Sequence, residues 1–241
     1  MQTLINSHEK IAFHFSGGKD SIACLQLLTP YLDKIIVMWV DSGESFPETL
    51  AQMEKVKALC PNFMRVLSNV KSQVESRGFP VDILPLKNAL EVQEATQTKS
   101  LPLQSFLTCC ATNLMNPLHE ATVLLGVTLI IRGQKLVDPH RSSLRHGQVV
   151  GGFQLCFPLE NWTDEEVLAF VKDNPLLPEH YGEANTSLDC WSCTAYLKEN
   201  QWKLRYMQKY HPEKAVILKH RLQLIKKEIV EDLNYMGVCD E

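Results

Sequence analysis

The 241-residue chain lacks the features that mark membrane, secreted or strongly cationic proteins. It has no run of 18 apolar residues, and its start, MQTLINSHEKIAF, has neither the basic residues nor the apolar stretch of a signal peptide. A net charge of −4 gives no overall electrostatic attraction for nucleic acid. Internal repeats, low-complexity tracts and linkers are also missing. We therefore expect a soluble cytoplasmic protein with its own core and no membrane partner.

What the chain does have is eight cysteines. In a reducing compartment, cysteines are expected to bind metals or clusters, or to act in catalysis, rather than to form disulfides. Cys24, Cys60 and Cys156 stand within apolar runs, so we expect them in the core.

The fold class follows from alternating apolar segments. Residues 10–16 and 34–43 read as buried strands, and helical periodicity follows each of them. This alternation predicts βαβ units, and hence an open, twisted parallel sheet with helices on both faces. Residues 88–120 favour helix with a break near Pro102, and a capping box precedes a later helix. We expect an α/β domain over residues 1–196 and a helical extension, packed on the same domain, over residues 197–241.

The first strand and helix are joined by the string SGGKDS at residues 16–21. Backbone N–H groups at a helix N-terminus, the helix dipole, two hydroxyls and Lys19 together form a cradle for phosphate. The spacing differs from that of the GxxxxGK[ST] loop. Two glycines alone would also fit an ordinary βα turn, but the full string favours nucleotide binding.

A second polar run, Asp41-Ser42-Gly43 in VDSGESFPET, follows the next predicted strand. Ligands of open parallel sheets lie at the carboxyl ends of strands, near the point where the strand order reverses. The run therefore either borders the same ligand or is simply a turn before a helix.

Four other cysteines form an adjacent pair, Cys109-Cys110, and a CxxC motif, Cys190 to Cys193. A CxxC motif alone fits zinc, a redox dithiol or coincidence. Adjacent cysteines are strained on one tetrahedral zinc ion, whereas each can reach a different iron of a cube-shaped cluster. From the residues alone, an iron–sulfur cluster, zinc and no metal all stay open.

Taken in order over residues 11–196, these motifs resemble the phosphoadenosine phosphosulfate (PAPS) reductase family of the N-type ATP pyrophosphatase, or PP-loop, superfamily. SGGKDS resembles its pyrophosphate-binding loop, and the cysteines resemble the [4Fe–4S] site of its adenosine phosphosulfate (APS) reductase branch. IIRGQKLVDPHRSS resembles a phosphate-contacting segment, with Gly133, Lys135 and Arg141 at matching positions; Arg132, His140 and Arg145 lie nearby without clear counterparts. The implied fold is that of the adenine nucleotide alpha hydrolases.

The resemblance implies a set of site residues. The nucleotide, ATP or APS/PAPS, would be bound with Mg²⁺ by Ser16, Gly17, Gly18, Lys19, Asp20, Ser21, Asp41, Ser42, Gly43, Lys135 and Arg141. Of these, Lys19, Asp20 and Ser21 would be catalytic. The [4Fe–4S] cluster would be held by Cys109, Cys110, Cys190 and Cys193.

Three departures from the reductase pattern separate the alternatives. The Arg-Lys dipeptide that commonly follows the tandem cysteines is replaced by Asn113 and Leu114, although Pro117-Leu118 remains. Reductases also use a thiolate in a C-terminal ECG[IL]H motif, whereas this chain ends NYMGVCDE. Cys239 there is surrounded by carboxylates, which do not favour a thiolate. An intact ATP loop is also unlike the degenerate loop usual in reductases.

The intact loop beside a cluster resembles the sulfur-incorporation enzymes of DNA phosphorothioation and, more loosely, cluster-dependent tRNA thiolases. That resemblance implies adenylylation of an acceptor, then entry of sulfur from the cluster or from a donor such as a cysteine desulfurase. A partner protein would present a nucleic-acid acceptor. The alternatives are a divergent APS or PAPS reductase that makes sulfite with Cys239, and a nucleotide- and cluster-dependent sensor or partner subunit. The state of oligomerisation, including a homo-oligomer, stays open.

The C-terminal segment QWKLRYMQKYHPEKAVILKHRLQLIKKE is locally basic and carries aromatic residues. It would either contact a nucleic-acid backbone or a partner, or form an amphipathic helix whose cations face water. The second interpretation is the commoner one for such a segment.

Overall fold

The computed structural model describes residues 1–139, 141–183 and 186–234. Its α-helices are α1 Gln2–Asn6, α2 Lys19–Leu28, α3 Pro47–Leu59, α4 Val70–Arg77, α5 Leu90–Thr96, α6 Phe106–Cys110, α7 Asn116–Leu124, α8 Asp164–Val171, α9 Lys203–Tyr210 and α10 Pro212–Asn234. Its strands are β1 Ile11–His14, β2 Ile35–Asp41, β3 Phe63–Leu67, β4 Phe79–Val81, β5 Leu103–Ser105, β6 Leu129–Ile131, β7 Val149–Val150 and β8 Phe153–Cys156. Shorter helical turns are 3₁₀ at Thr29–Tyr31, Leu86–Asn88 and Glu179–Gly182, and π at Ala111–Met115.

The chain folds into two compact units. The first consists of Met1–Asp41, Phe46–Leu67 and Asn116–Leu188. The second consists of Ser42–Ser45, Ser68–Met115 and the chain from Asp189 onward. The division predicted at residue 196 stays a prediction.

The first unit contains a six-stranded sheet in the order β3-β2-β1-β6-β8-β7. All neighbouring strands are parallel except the short pair β7 and β8. Strand β1 pairs with β2 on one side and with β6 on the other, so the strand order reverses between β1 and β6. The predicted open parallel sheet is confirmed, and its reversal point lies where β1 ends.

Both faces of this sheet are covered by helices, as predicted. Phe13 and Val37 belong to an apolar cluster that also contains Ile22 of α2 and Val167 of α8. On the opposite face, Met38 belongs to a cluster that includes side chains of α7. Side chains of a strand alternate between faces, which divides the strand residues between the two clusters. The three cysteines expected in the core, Cys24, Cys60 and Cys156, are buried in the first cluster.

The segment expected to be mainly helical, residues 88–120, is more broken than predicted. After Pro102 the chain forms β5, which pairs in parallel with β4. The two strands approach closely because Gly78 has a φ of +89° and no side chain; a Cβ there would lie 1.9 Å from the Pro102 carbonyl oxygen. Helix resumes only at α6. A three-residue strand is too short to leave a periodic pattern in the sequence.

The second unit is otherwise mainly helical. Val81 and Leu103 of its two strands pack with Ile225 of α10, the 23-residue helix near the end of the described chain. The predicted C-terminal helical segments are confirmed by α9 and α10. In the described parts of the chain, no helix is both long and apolar enough to cross a membrane.

Candidate functional site

The predicted phosphate loop lies between β1 and α2 in the first unit. Gly18 is the N-cap of α2, and Gly17 has a φ of +85°, a conformation that favours glycine. A Cβ on Gly17 would also lie 2.6 Å from Gln52 Oε1 and 2.7 Å from the Met53 methyl group. Gln52 itself donates a hydrogen bond to the Gly17 carbonyl at 2.9 Å. Both the backbone conformation and the close packing therefore require glycine at residue 17.

Hydroxyl groups hold the start of α2. The Ser21 hydroxyl donates to the Gly18 carbonyl at 2.8 Å and lies 3.3 Å from the Ser16 hydroxyl. The Lys19 backbone N–H donates to the Tyr181 hydroxyl at 2.9 Å. The helix N-terminus is thus already hydrogen-bonded to a neutral oxygen. Tyr181 was not singled out in the sequence, where it stands in a loop-like stretch.

Two buried lysines converge beside the loop. Lys19, which is 6% exposed, places its Nζ 2.7 Å from Asp164 Oδ1 and 3.0 Å from Asp20 Oδ2. Lys135, only 1% exposed, places its Nζ 3.2 Å from the same Asp164 oxygen and 2.8 Å from Asp138 Oδ1. Lys135 also contacts Asp20 directly. Of the predicted residues, the structure therefore brings Lys19, Asp20 and Lys135 together.

Asp164, like Asp138, is a member of this group that the sequence did not indicate. It is the first residue of α8, directly after Thr163, whose predicted capping box with Glu166 is confirmed by hydrogen bonds of 3.2 and 2.8 Å. Partial burial opposes ionisation of Asp164, but hydrogen bonding and charge from Lys19 hold its pKa below the ordinary value. The carboxylate is therefore ionised at neutral pH and bridges both lysines.

Gly133 places the Lys135 segment against α2. A Cβ on Gly133 would lie 3.0 Å from the Asp20 carbonyl carbon and 3.2 Å from the Ser21 nitrogen, so a side chain would push the segment away. Arg141 is placed differently. Its side chain is exposed, and its Nε donates to the Leu136 carbonyl at 2.8 Å.

The neighbouring basic residues also have separate surroundings. Arg132, directly after β6, donates from Nε to His14 Nδ1 at 3.2 Å, and His14 Nε2 lies 3.0 Å from the Thr122 hydroxyl. Burial, followed by the Arg132 charge, lowers the pKa of His14 to about 3. Arg145 instead forms an ion pair with Glu160, with 2.9 Å between Nε and Oε1. His140 lies outside the described residues.

The predicted run Asp41-Ser42-Gly43 is divided between the two units. Asp41 ends β2, is 5% exposed, and forms an ion pair with Arg65, whose Nε lies 2.9 Å away. Ser42 belongs to the second unit, and its hydroxyl lies 3.3 Å from Cys190 Sγ. Gly43 has a φ of +77°. Ser42 is therefore a hydrogen-bonding neighbour of Cys190.

Within the second unit, one pocket brings together all four cysteines predicted to bind a cluster. Its empty volume is about 380 Å³, counting the part open to solvent. It is lined by Cys109, Cys110, Cys190 and Cys193, together with Val70, Val74, Pro80, Phe106, Asn113, Leu114 and Ser192. The adjacent pair and the CxxC motif, far apart in sequence, thus share one largely apolar cavity. Cys239 lies outside the described residues.

Burial dominates the chemistry of these thiols. It raises the pKa of Cys109 and Cys190 to about 12 and that of Cys110 to about 11, and it also raises the pKa of Cys193. Thiolates must form for metal binding, so a metal would displace protons here. Besides Ser42, Asn113 offers a polar contact, with Nδ2 4.0 Å from Cys109 Sγ.

The potential metal donors of the pocket are its four cysteine thiols. Among the residues that the structure describes, no three His, Cys, Asp or Glu side chains converge closely enough to hold one metal ion. Four thiols spread around one cavity are instead the ligands that a four-iron cube uses, one thiol for each iron. The cysteine pocket can therefore hold such a group, and its apolar lining would limit the access of water.

Comparison with known proteins agrees with these motifs. Residues 10–196 match the family described as the phosphoadenosine phosphosulfate reductase domain. The adenosine 5′-phosphosulfate reductase of Deinococcus radiodurans is 23% identical over 167 residues, covering 68% of this chain but only 58% of that protein. Adenosine 5′-phosphosulfate reductase 2 of Bacillus subtilis is 25% identical over 194 residues, covering 77% of this chain and 73% of its own.

One solved structure shares the fold. It is the phosphate complex of phosphoadenylyl-sulfate reductase from Candida auris, which matches with a TM-score of 0.51 at 16% identity. The match covers 75% of this chain and 81% of the other. At that identity the similarity concerns the fold alone.

Proposed function

The chain belongs to the phosphoadenosine phosphosulfate reductase family, and on that premise we propose an ATP-dependent sulfur-transfer enzyme. Its loop at residues 16–21 would bind the phosphates of ATP. Its four clustered cysteines would hold a [4Fe–4S] cluster. The acceptor would be activated by adenylylation and then receive sulfur.

One observation carries the nucleotide part of this proposal. Lys19 and Lys135 place their ammonium groups 2.7 and 3.2 Å from a single oxygen of Asp164. A non-bridging phosphate oxygen has the same charge and the same need for hydrogen bonds as that carboxylate oxygen. A bound phosphate would replace the Asp164 carboxylate between the two lysines. Asp20, which contacts both lysines, would remain as the carboxylate nearest to the accompanying Mg²⁺.

The position of Lys19 favours ATP as the substrate. In adenylylation an acceptor oxygen bonds to the α-phosphorus while the bond to the bridging oxygen breaks, and pyrophosphate leaves with that electron pair. Lysines beside the leaving group stabilise the charge that develops on it. A sulfur nucleophile would then form its bond to the activated acceptor as the AMP oxygen leaves.

The cysteine pocket would supply the ligands of the iron–sulfur cluster. Cys109, Cys110, Cys190 and Cys193 would be the ligands, and a [4Fe–4S] cluster, when bound, provides electrons or labile sulfide. Ser42 and Asn113 would hydrogen-bond to the ligand sulfurs, and the apolar lining would keep water away. The sulfur donor we propose is a persulfide from a cysteine desulfurase, whose terminal sulfur would bond to the acceptor as AMP leaves. A thiol reductant would then cleave the remaining S–S bond and release the thiolated acceptor. A partner protein would present the acceptor, such as a nucleic acid.

A second candidate function rests on the relatives. Those described above are named adenosine 5′-phosphosulfate reductases, at 23% and 25% identity. In a reductase of this kind, a thiolate, here Cys239, would attack the substrate sulfur and release AMP. A second thiol would then attack the resulting S-sulfocysteine and release sulfite.

The two functions are separated by their products. The full chain, purified and reconstituted without oxygen, is incubated with ATP–Mg²⁺, and separately with APS or PAPS and a thiol reductant. Pyrophosphate from ATP supports the ATP-dependent enzyme, whereas sulfite alone supports the reductase and contradicts our proposal. A Cys239→Ser variant is the control, since it should abolish sulfite formation and leave pyrophosphate release unchanged. Nucleotide binding without either product, also when an oligonucleotide acceptor is added to the ATP incubation, would contradict both functions.

A further inference from the structure

The CxxC turn is held from outside by a buried cation. Lys203, the first residue of α9, is only 2% exposed. Its Nζ lies 2.6 Å from the Cys190 carbonyl oxygen and 3.5 Å from the Cys193 carbonyl oxygen. One ammonium group thus binds the first and last residues of the motif and fixes the distance between them.

A second cation reaches the same turn. Arg221 of α10 donates from Nη1 to the Ser192 carbonyl at 3.3 Å. Its guanidinium also lies 5.8 Å from the ring centroid of Trp191, and the Lys214 ammonium lies 5.1 Å from that centroid. Three carbonyls and the one aromatic ring of the motif therefore contact cations of the two C-terminal helices.

The charge of Lys203 is not neutralised by a carboxylate. Among the described residues its ammonium forms hydrogen bonds to neutral carbonyls and no ion pair. Burying an ammonium group without a counter-charge is costly. Negative sulfur at Cys190 and Cys193 would provide that counter-charge, because the Lys203 ammonium group already contacts the backbone carbonyls of both residues.

Acidic residues act in the opposite direction. Asp189 is adjacent to Cys190, and Asp82 accepts hydrogen bonds from the backbone N–H groups of Tyr196 and Leu197 at 2.7 and 2.9 Å. Both carboxylates add negative charge close to the CxxC turn. Lys203 is the cation that contacts the backbone carbonyls of the turn itself.

We propose that Lys203 is a positioning residue of the cysteine site, which fixes the CxxC turn and supplies the positive charge that a negatively charged iron–sulfur cluster requires. This inference rests on the proposed function, because it presumes that the four cysteines hold such a cluster. A cation beside a cluster favours the reduced state, which carries one more negative charge. Lys203 therefore raises the reduction potential of the site.

The test compares three substitutions in the full chain, reconstituted with iron and sulfide without oxygen. Lys203→Met removes both the donor and the charge, Lys203→Gln keeps a donor, and Lys203→Arg keeps the charge. Lys219→Gln, an exposed position on α10, is the matched control. Iron and sulfide per chain are measured together with the midpoint potential, followed by electron paramagnetic resonance.

We expect Lys203→Met to retain iron about 10-fold less tightly, as for other residues that support metal ligands. Lys203→Gln should load better than Lys203→Met, and its loaded fraction should have a more negative midpoint potential than wild type. Lys203→Arg and Lys219→Gln should stay close to the wild-type potential.

Three results would contradict the inference, and they separate it from the proposed function. If wild type loads and Lys203→Gln has the same potential, the charge role is wrong while the cluster remains. If Lys203→Met retains iron as tightly as wild type, the positioning role is wrong. If wild type itself holds no iron, the cluster and the inference fail together. A Lys203→Met chain that does not fold leaves the decision to the potential of Lys203→Gln.

Discussion

The charged groups are paired differently in the phosphate-loop region and in the cysteine pocket. By the phosphate-loop region we mean residues 16–21 together with Lys135, Asp138 and Asp164. Beside the loop, two buried lysines are in contact with three carboxylates, those of Asp20, Asp138 and Asp164. In the cysteine pocket the thiols are protonated by burial, and the nearest cation binds backbone carbonyls instead of a side-chain anion. Ionised groups are paired in one region and absent from the lining of the other.

This difference indicates what each region can exchange. Under the proposed function, the loop region would replace one anion with another, because a phosphate entering there would find its lysines already desolvated and positioned. The cysteine pocket would exchange protons for metal, because its thiols would become negative when a cation compensates them. Four substitutions test how far this contrast holds.

The largest effect is expected from Lys19→Ala. Loss of a cation beside the leaving pyrophosphate should lower its release by about 100-fold or more. Iron content should not change, since the cysteines belong to the other unit. Lys172→Ala, an exposed lysine just after α8, is the control and should release pyrophosphate at the wild-type rate. Turnover that survives Lys19→Ala would show that the loop is not the catalytic cradle.

Cys193→Ala tests whether the cysteine pocket binds iron. Removal of one of four ligands should reduce bound iron after anaerobic reconstitution to a small fraction of the wild-type value. Cys60→Ala removes a buried thiol of the first unit and should leave iron content unchanged. Equal iron in the two variants would mean that the cysteine pocket does not bind the cluster.

The pH dependence of stability should have opposite signs at His14 of β1 and at the cysteine pocket. His14 is neutral in the folded chain down to about pH 3, whereas it takes up a proton near pH 6.5 when unfolded. Its contribution is thus present above pH 6.5 and lost as the pH falls towards 3. Compared with His14→Gln, wild type should lose about 2–3 kcal/mol of unfolding free energy between pH 6 and pH 4, measured by denaturant titration.

The thiols of the cysteine pocket contribute to stability with the opposite pH dependence. The raised pKa of Cys190 means that the metal-free protein loses stability as the pH rises from about 9 towards 12. An acid-side slope that is the same in His14→Gln and wild type would assign the acid sensitivity to other groups.

The smallest effect is expected from Asp164→Asn. Its side chain is 56% exposed, so solvent weakens its competition with phosphate for the two lysines. The substitution should tighten ATP binding about three- to tenfold in calorimetric titration, equivalent to about 1 kcal/mol. Asp173→Asn, an exposed carboxylate beyond α8, should leave the affinity unchanged. Weaker binding in Asp164→Asn would instead indicate that this carboxylate assists the nucleotide or its metal.

Much of the fold and part of the site could be predicted because their signals are local. Strand, SGGKDS and helix follow one another within 20 residues of sequence, and apolar periodicity indicates each element. The two cysteine motifs were also visible as spacings, although only the resemblance to a family joined them into one site. The structure then placed all four in one pocket.

The missing parts depend on contacts between distant residues. Asp164 was visible only as the first residue of a capped helix, since nothing in its neighbourhood indicates that Lys19 lies against it. Lys203 stands in a basic segment beside exposed Arg205, and burial alone distinguishes the two. Such roles depend on three-dimensional packing, which no window of sequence contains.

The path of the chain between the two units bears on how the second unit arose in evolution. It passes from one unit to the other after residues 41, 45, 67, 115 and 188, and two of these crossings directly follow β2 and β3. A unit assembled from such pieces cannot have been acquired by joining one gene to the end of another. It is consistent with growth by lengthening the loops that follow the strands of an older parallel sheet. Shuffling of whole exons or domains would then be a poor guide to its relatives, and loop length a better one.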